Sequence, residues 1–118
     1  MDRKSLGKEG ESKAIEFLKK KGYRIIETNY LKRTGEIDII AFDPNFNEYV
    51  FAEVKTRRNL NFGYPEESVD EKKIEKIIET AENWLLDKNI ENPEWRVDII
   101  SIEWKNKDAQ IKHIQNIS

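Results

Sequence analysis

Residues 35–58, GEIDIIAFDPNFNEYVFAEVKTRR, read as two alternating strands around a turn. Glu36 to Phe42 and Tyr49 to Thr56 are the strands, and the turn-rich Asp43-Pro44-Asn45-Phe46-Asn47 makes a β-hairpin the simplest connection. In the first strand Glu36 and Asp38 share one face, while Ile37, Ile39 and Ala41 line the other. In the next, Tyr49, Phe51, Glu53 and Lys55 lie opposite Val50, Ala52 and Val54. Pairing Phe42 with Tyr49 matches aromatic end to aromatic end. The same register sets Asp38 opposite Glu53 and Glu36 opposite Lys55, whereas a one-residue slip would mix the faces.

Outward from the hairpin, Arg3 to Lys21 has Gly7, Glu11, Ala14, Ile15 and Leu18 at helical spacing, and Gly22 stops it. Tyr23 to Asn29 reads as a strand. On the other side, Arg57 to Glu67 is a loop by composition, and Ser68 with Glu71 forms a capping box. Ile74, Ile77, Ile78, Ala81 and Leu85 then stripe a helix running to about Lys88. Asn89 to Glu94 is a turn, and Arg96 to Trp104 and Ala109 to Ile114 are strands around Lys105-Asn106-Lys107-Asp108. The expected order is αβββαββ, an α/β domain with a mixed sheet and two helices, filling residues 1–118 as a single unit.

Composition narrows the chemistry. There are 118 residues, no cysteine and one histidine, His113, so thiol catalysis, structural zinc and Ser-His-Asp chemistry lack their raw material. Carboxylates, lysines and arginines must carry any reaction. With 21 basic against 23 acidic residues the net charge is −2, unlike a polycation that coats DNA, and the basic clusters are local: Lys32-Arg33 and Lys55-Thr56-Arg57-Arg58. Apolar runs are too short for a membrane span, and Met1-Asp2-Arg3-Lys4 leads into charged residues with no apolar segment behind it. We therefore expect a cytoplasmic protein with no membrane partner.

Two carboxylates facing each other across a ladder repel, and acidic residues are disfavoured in strands. A divalent cation between Asp38 and Glu53 would offset this, since two carboxylates, a backbone carbonyl and waters suit Mg²⁺ or Mn²⁺. Lys55 lies on the same face, ~6–7 Å along the strand from Glu53, where it would steady an attacking water or a phosphate. Glu11 stands on the apolar stripe of the first helix, a costly place for a carboxylate unless it is paired or metal-linked. Gly7 and Gly10 beside it suggest close approach of the helix to a strand or a phosphate. On these residues alone, two other readings weigh as much, an exposed ion-pair lattice at Glu36, Asp38, Glu53 and Lys55 and a water-reaching Glu11, while for Lys55-Thr56-Arg57-Arg58 a solvated turn outweighs a phosphate clamp until the acidic pocket beside it is accepted. Trp84, Trp95 and Trp104 suit packing, and His113 suits a structural or exposed position.

The strings GEIDIIAFD (residues 35–43), VFAEVKTRR (50–58) and FGYPEESVDEKK (62–73) resemble the YraN family of small bacterial nuclease-like proteins. GKEGESKAIEFLKKKGYRII (7–26) and RVDIISI (96–102) extend the resemblance over most of the chain. That family is similar to archaeal Holliday-junction resolvases of the PD-(D/E)xK superfamily, which implies a restriction-endonuclease-like core. It further implies that Glu11 is the helix-borne acid, Asp38 the central metal-binding aspartate, and Glu53 with Lys55 the E-x-K pair. Ile37 stands where the superfamily often has proline.

The function so implied is a Mg²⁺- or Mn²⁺-dependent endonuclease acting on branched or irregular DNA. Glu11, Asp38, Glu53 and Lys55 would be catalytic, the three acids would hold metal, and Lys32, Arg33, Arg57 and Arg58 would bind phosphates. Similarity to resolvases adds a homodimer. The alternatives are a nucleic-acid-binding module with a nuclease fold and little turnover, and a protein-interaction domain.

Overall fold

The computed structural model describes residues 3–58 and 69–117, with side chains from Leu6 onward. Its elements are α1 (Arg3–Lys20), β1 (Arg24–Lys32), β2 (Gly35–Asp43), β3 (Glu48–Arg57), α2 (Glu71–Asp87), β4 (Trp95–Lys105) and β5 (Asp108–Ile114), in the expected order αβββαββ. All five strands form one sheet in chain order. Neighbours are antiparallel except β3 and β4, which run parallel and are joined through α2.

Each helix closes its own apolar cluster against the sheet. Ala14 and Leu18 of α1 pack with Ile39, Ala41, Val50, Ala52, Ile100 and Ile102. Ile77, Ala81, Trp84 and Leu85 of α2 pack with Ile40, Phe51 and Val97. Each large side chain fully buried here contributes about 1.5–3 kcal/mol. Among the described residues no helix is long and apolar enough to cross a membrane.

The helix ends follow local chemistry. Gly22, at φ +91°, lets the chain leave α1: its N–H donates to the Lys19 carbonyl, and the Tyr23 N–H donates to that of Leu18. α2 starts at Glu71, where the Asp70 side chain accepts a 2.9 Å hydrogen bond from the Lys73 N–H. Ser68, the cap expected from the sequence, lies outside the described residues. β1 continues beyond Asn29 to Lys32, which pairs with Gly35, so Lys32 and Arg33 stand exposed at the tip of the β1–β2 hairpin. That tip docks on α2 through Thr34 Oγ1, 2.6 Å from Thr80 Oγ1.

Of the two glycines in α1, Gly10 meets the expectation of close approach. A Cβ there would overlap Cγ2 of Thr56 on β3, whereas one at Gly7 would meet nothing within 4 Å. Thr56 is β-branched and stiff, so the overlap is hard to relieve. Gly10→Ala is therefore expected to destabilise the protein by about 1–3 kcal/mol despite alanine's better helix propensity. Adding Thr56→Ser, which removes Cγ2, should recover most of the loss in urea denaturation of the single and double variants.

Candidate functional site

The hairpin register is the expected one from Asp43↔Glu48 through Phe42↔Tyr49 to Ile39↔Ala52, and there the β2–β3 ladder stops. The expected pairs Asp38–Glu53 and Glu36–Lys55 do not form. Glu36 instead pairs with Leu31 on β1, and Asp38 Oδ2 accepts a 2.7 Å hydrogen bond from the Val54 N–H. A side-chain oxygen thus satisfies the β3 backbone where β2 peels away. On the other flank the β1–β2 register passes over Asn29 and Asp38, between Thr28↔Ile39 and Tyr30↔Ile37, and Asn29 has a left-handed φ of +52°. Alternation breaks at this point. Ile37 joins the α2 cluster, whereas Ile39 and Ala41 face α1, so the single apolar face expected for all three is corrected.

Asp38 and Glu53 lie close enough for their charges to interact although they are not ladder partners. Burial, then the charge of Glu53, pushes the Asp38 carboxyl up to about 7. Glu53 is 6% exposed, and its Oε1 takes ammonium groups from two directions. Lys73 Nζ on α2 lies 3.0 Å away and Lys55 Nζ 3.4 Å away. Burial and the adjoining Lys73 hold the Lys55 pKa below its usual value. Burial also opposes the charge on Lys73, but contacts with Lys55 and Glu53 and the charge of Asp38 keep its pKa raised.

Glu11 is half-buried and accepts a 2.7 Å hydrogen bond from Asn29 Nδ2. Its charge reaches Asp38 as one of the causes raising that group's pKa. Asn29, itself exposed, therefore links the α1 acid to the strand irregularity, and its left-handed backbone is one that asparagine adopts readily. Arg58 is exposed at the end of β3, and Arg57 Nε is buried without a described hydrogen-bond partner.

Two residues of this arrangement escape the sequence reading, Lys73 and Asn29. Lys73 falls within the FGYPEESVDEKK string, but its contact with Glu53 depends on the crossover that brings the start of α2 over β3. Asn29 offers only the weak signal of a turn-favouring residue within a β-branched run.

Hard oxygen donors at Asp38 and Glu53 suit a divalent cation, and the Asp38 pKa is raised first by burial and then by the charge of Glu53. Among the described residues no three of His, Cys, Asp and Glu gather closely enough to hold an ion by side chains alone. The fit thus rests on two carboxylates completed by main-chain and water oxygens.

At the opposite end of the sheet lies a buried ionic network. Arg96 Nε lies 3.1 Å from Asp98 Oδ1, Nη1 is 3.0 Å from Asp43 Oδ2, and Nη2 donates to the Tyr23 hydroxyl at 2.8 Å. His113 Nε2 is 2.8 Å from Asp98 Oδ2, and the His113 side chain is 4% exposed, a structural position as expected. Burial alone would raise the Asp98 pKa, but hydrogen bonds from His113, the Asn116 N–H and Arg96 hold it below the usual carboxylate range. Trp84 is buried in the α2 cluster and donates from Nε1 to Glu27 Oε1 at 3.1 Å. Trp104 packs in the α1 cluster and Trp95 against that of α2, so all three tryptophans are packing residues.

A five-stranded mixed sheet flanked by two helices, with acids and lysines at the splayed end of β2 and β3, fits an α/β domain of the restriction-endonuclease-like class. A family model described as "Uncharacterised protein family UPF0102" matches residues 10–102. A UPF0102 protein of Persephonella marina is 50% identical over 110 residues, covering 93% of this chain and 90% of the relative. One from Sulfurihydrogenibium sp. is 40% identical over 116 residues, covering 98% and 96%. Another from Caldicellulosiruptor saccharolyticus is 41% identical over 118 residues, covering 98% of each. The chain belongs to the UPF0102 family.

Proposed function

We propose that this chain is a divalent-cation-dependent endonuclease that cuts branched or irregular DNA in the cytoplasm. The observation that carries the reading is the half-buried Asp38 carboxyl, which accepts the Val54 N–H and is pushed up to about 7 beside Glu53, with Lys55 on that same glutamate. A catalytic site is where such opposed titratable groups are expected. Asp38, Glu53 and the Val54 carbonyl would hold Mg²⁺ or Mn²⁺. Once bound, the ion would supply Lewis-acid polarisation of the phosphate and a lowered water pKa.

The chain's own groups do the rest. Lys55 orients the attacking water and balances charge developing on the phosphate oxygens. Glu11, fixed by Asn29, faces the same charge cluster and would bind waters of the ion or a second ion. Lys32, Arg33, Arg57 and Arg58 bind flanking phosphates without reading sequence. Cutting both strands of a junction calls for a second site, hence a homodimer.

A second reading, binding without turnover, is favoured by the two lysines that already neutralise Glu53. A cleavage and gel-shift panel in Mg²⁺ and Mn²⁺, using four-way junction, flap, single-stranded and duplex DNA, separates the two. Cleavage by wild type alone, not by Asp38→Asn, is the expected result. Binding without cleavage by either protein would favour the second reading. Arg57→Ala with Arg58→Ala should weaken binding and flatten its dependence on salt, with log-log slope reduced by about 1–2. Unchanged binding would remove these arginines from the interface.

A further inference from the structure

Glu53 presents one oxygen to two cations, and the nearer is the lysine that the strand motif does not contain. Lys73 Nζ stands 3.0 Å from Oε1 and Lys55 Nζ 3.4 Å from the same atom. The two differ in how they are held. Lys55 projects from β3 two residues beyond Glu53, and its side chain is 28% exposed. Lys73 projects from the first turn of α2, and its side chain is 39% exposed against 7% for Glu53. Its flexible stem therefore reaches both a buried carboxylate and solvent.

A carboxylate oxygen that ligates a divalent cation cannot keep two ammonium groups at these distances, because like charges this close repel strongly in a partly buried setting. The more exposed ammonium is the one free to leave. Resting on the nuclease reading above, we propose that Lys73 exchanges partners: it holds Glu53 in the free protein and moves to a phosphate oxygen of DNA when Glu53 ligates the cation. Without DNA, Lys73 competes with the cation. With DNA present, its release from Glu53 supplies a phosphate contact, so each ligand strengthens binding of the other.

The experiment uses the full chain and Ca²⁺, a hard cation that suits oxygen ligands, as the probe. Calorimetry measures Ca²⁺ binding without DNA, and gel shift measures four-way-junction binding in EDTA and in saturating Ca²⁺, for wild type, Lys73→Gln, Lys73→Arg and Asp38→Asn. Wild type should bind the junction roughly tenfold more tightly in Ca²⁺ than in EDTA, a coupling within the usual allosteric range. Lys73→Gln should bind Ca²⁺ alone several-fold more tightly and show a coupling several-fold smaller than wild type, the remainder coming from the cation's own contact with phosphate, while Lys73→Arg keeps the full coupling. Undiminished coupling in Lys73→Gln, or weaker Ca²⁺ binding by it, overturns the exchange and leaves the nuclease reading standing. Wild type without Ca²⁺ binding that Asp38→Asn abolishes overturns both. Thermal melts of the two Lys73 variants within a few degrees of wild type establish that each result concerns a folded protein.

Discussion

Asp38→Asn is expected to end cation-dependent cleavage and, in the same molecule, to raise stability at about pH 8 by roughly 2–4 kcal/mol. Burial and the charge of Glu53 push the Asp38 carboxyl up to about 7, far above the value of about 4 that an aspartate has in an unfolded chain. A group raised in this way contributes stability that is full below about pH 4 and lost as pH rises through about 7. Asparagine carries no charge, and its amide oxygen still accepts the Val54 N–H that Asp38 Oδ2 accepts in the native protein. Thermal melts should show a wide gap between variant and wild type at about pH 8, narrowing as pH falls below about 7 and closing near pH 4. Mg²⁺ should narrow the gap at the higher pH, because it stabilises only the protein that binds it. Cleavage by wild type should rise with pH through about 7, with a midpoint that falls as Mg²⁺ is raised, since the ligand must lose its proton. Equal stability of the two proteins at every pH would show that the charge on Asp38 is already compensated.

Arg96→Leu is expected to cost about 3–5 kcal/mol, the usual result of removing one partner from a buried ionic network. Arg96 is 3% exposed and Asp43 and Asp98 are 1% and 0% exposed, so deletion of the guanidinium leaves two carboxylates with little access to water. For a domain of this size the loss corresponds to a fall of roughly 10 °C or more in Tm. The sign of the pH dependence is opposite to that at Asp38. The Asp43 and Asp98 pKa values are held low in the folded state, so the stability they contribute is present above about pH 4 and lost as pH falls through their lowered values. In the variant, burial is no longer opposed by Arg96, and stability should improve on moving from about pH 7 toward pH 5. Differential scanning calorimetry across that range tests both the size and the reversal. A melting point within a few degrees of wild type would mean that His113 and the Asn116 N–H suffice to hold Asp98.

Much of this architecture is legible before any coordinates. Alternation in residues 36–42 and 49–56 reflects two strands with different faces, so Phe42↔Tyr49 follows from matching like with like. The apolar stripe from Ile74 to Leu85 faces the sheet because a helix must bury one side. Asp38, Glu53 and Lys55 converge because they lie near one end of that hairpin. The details that give the site its electrostatics are less legible. The ladder stops one step before Asp38, whose carboxylate takes the Val54 N–H instead, and Asn29 adopts a left-handed conformation beside it, features that strand alternation does not encode.

By itself the sequence determines the order of elements, the hairpin register from Ile39 to Asp43 and the hard-oxygen, lysine-bearing character of the site, because these depend on periodicity and side-chain chemistry within a few residues. Only the tertiary structure decides that Lys73 reaches Glu53, that Asn29 fixes Glu11, and that Arg96 gathers Asp43, Asp98 and Tyr23 in the interior. Apart from the Arg96–Asp98 pair within β4, each of these contacts joins separate segments of the chain, and those of Glu53 and Arg96 lie in the interior. Burial is a property of the packed molecule, and it is what turns ordinary carboxylates and lysines into a site.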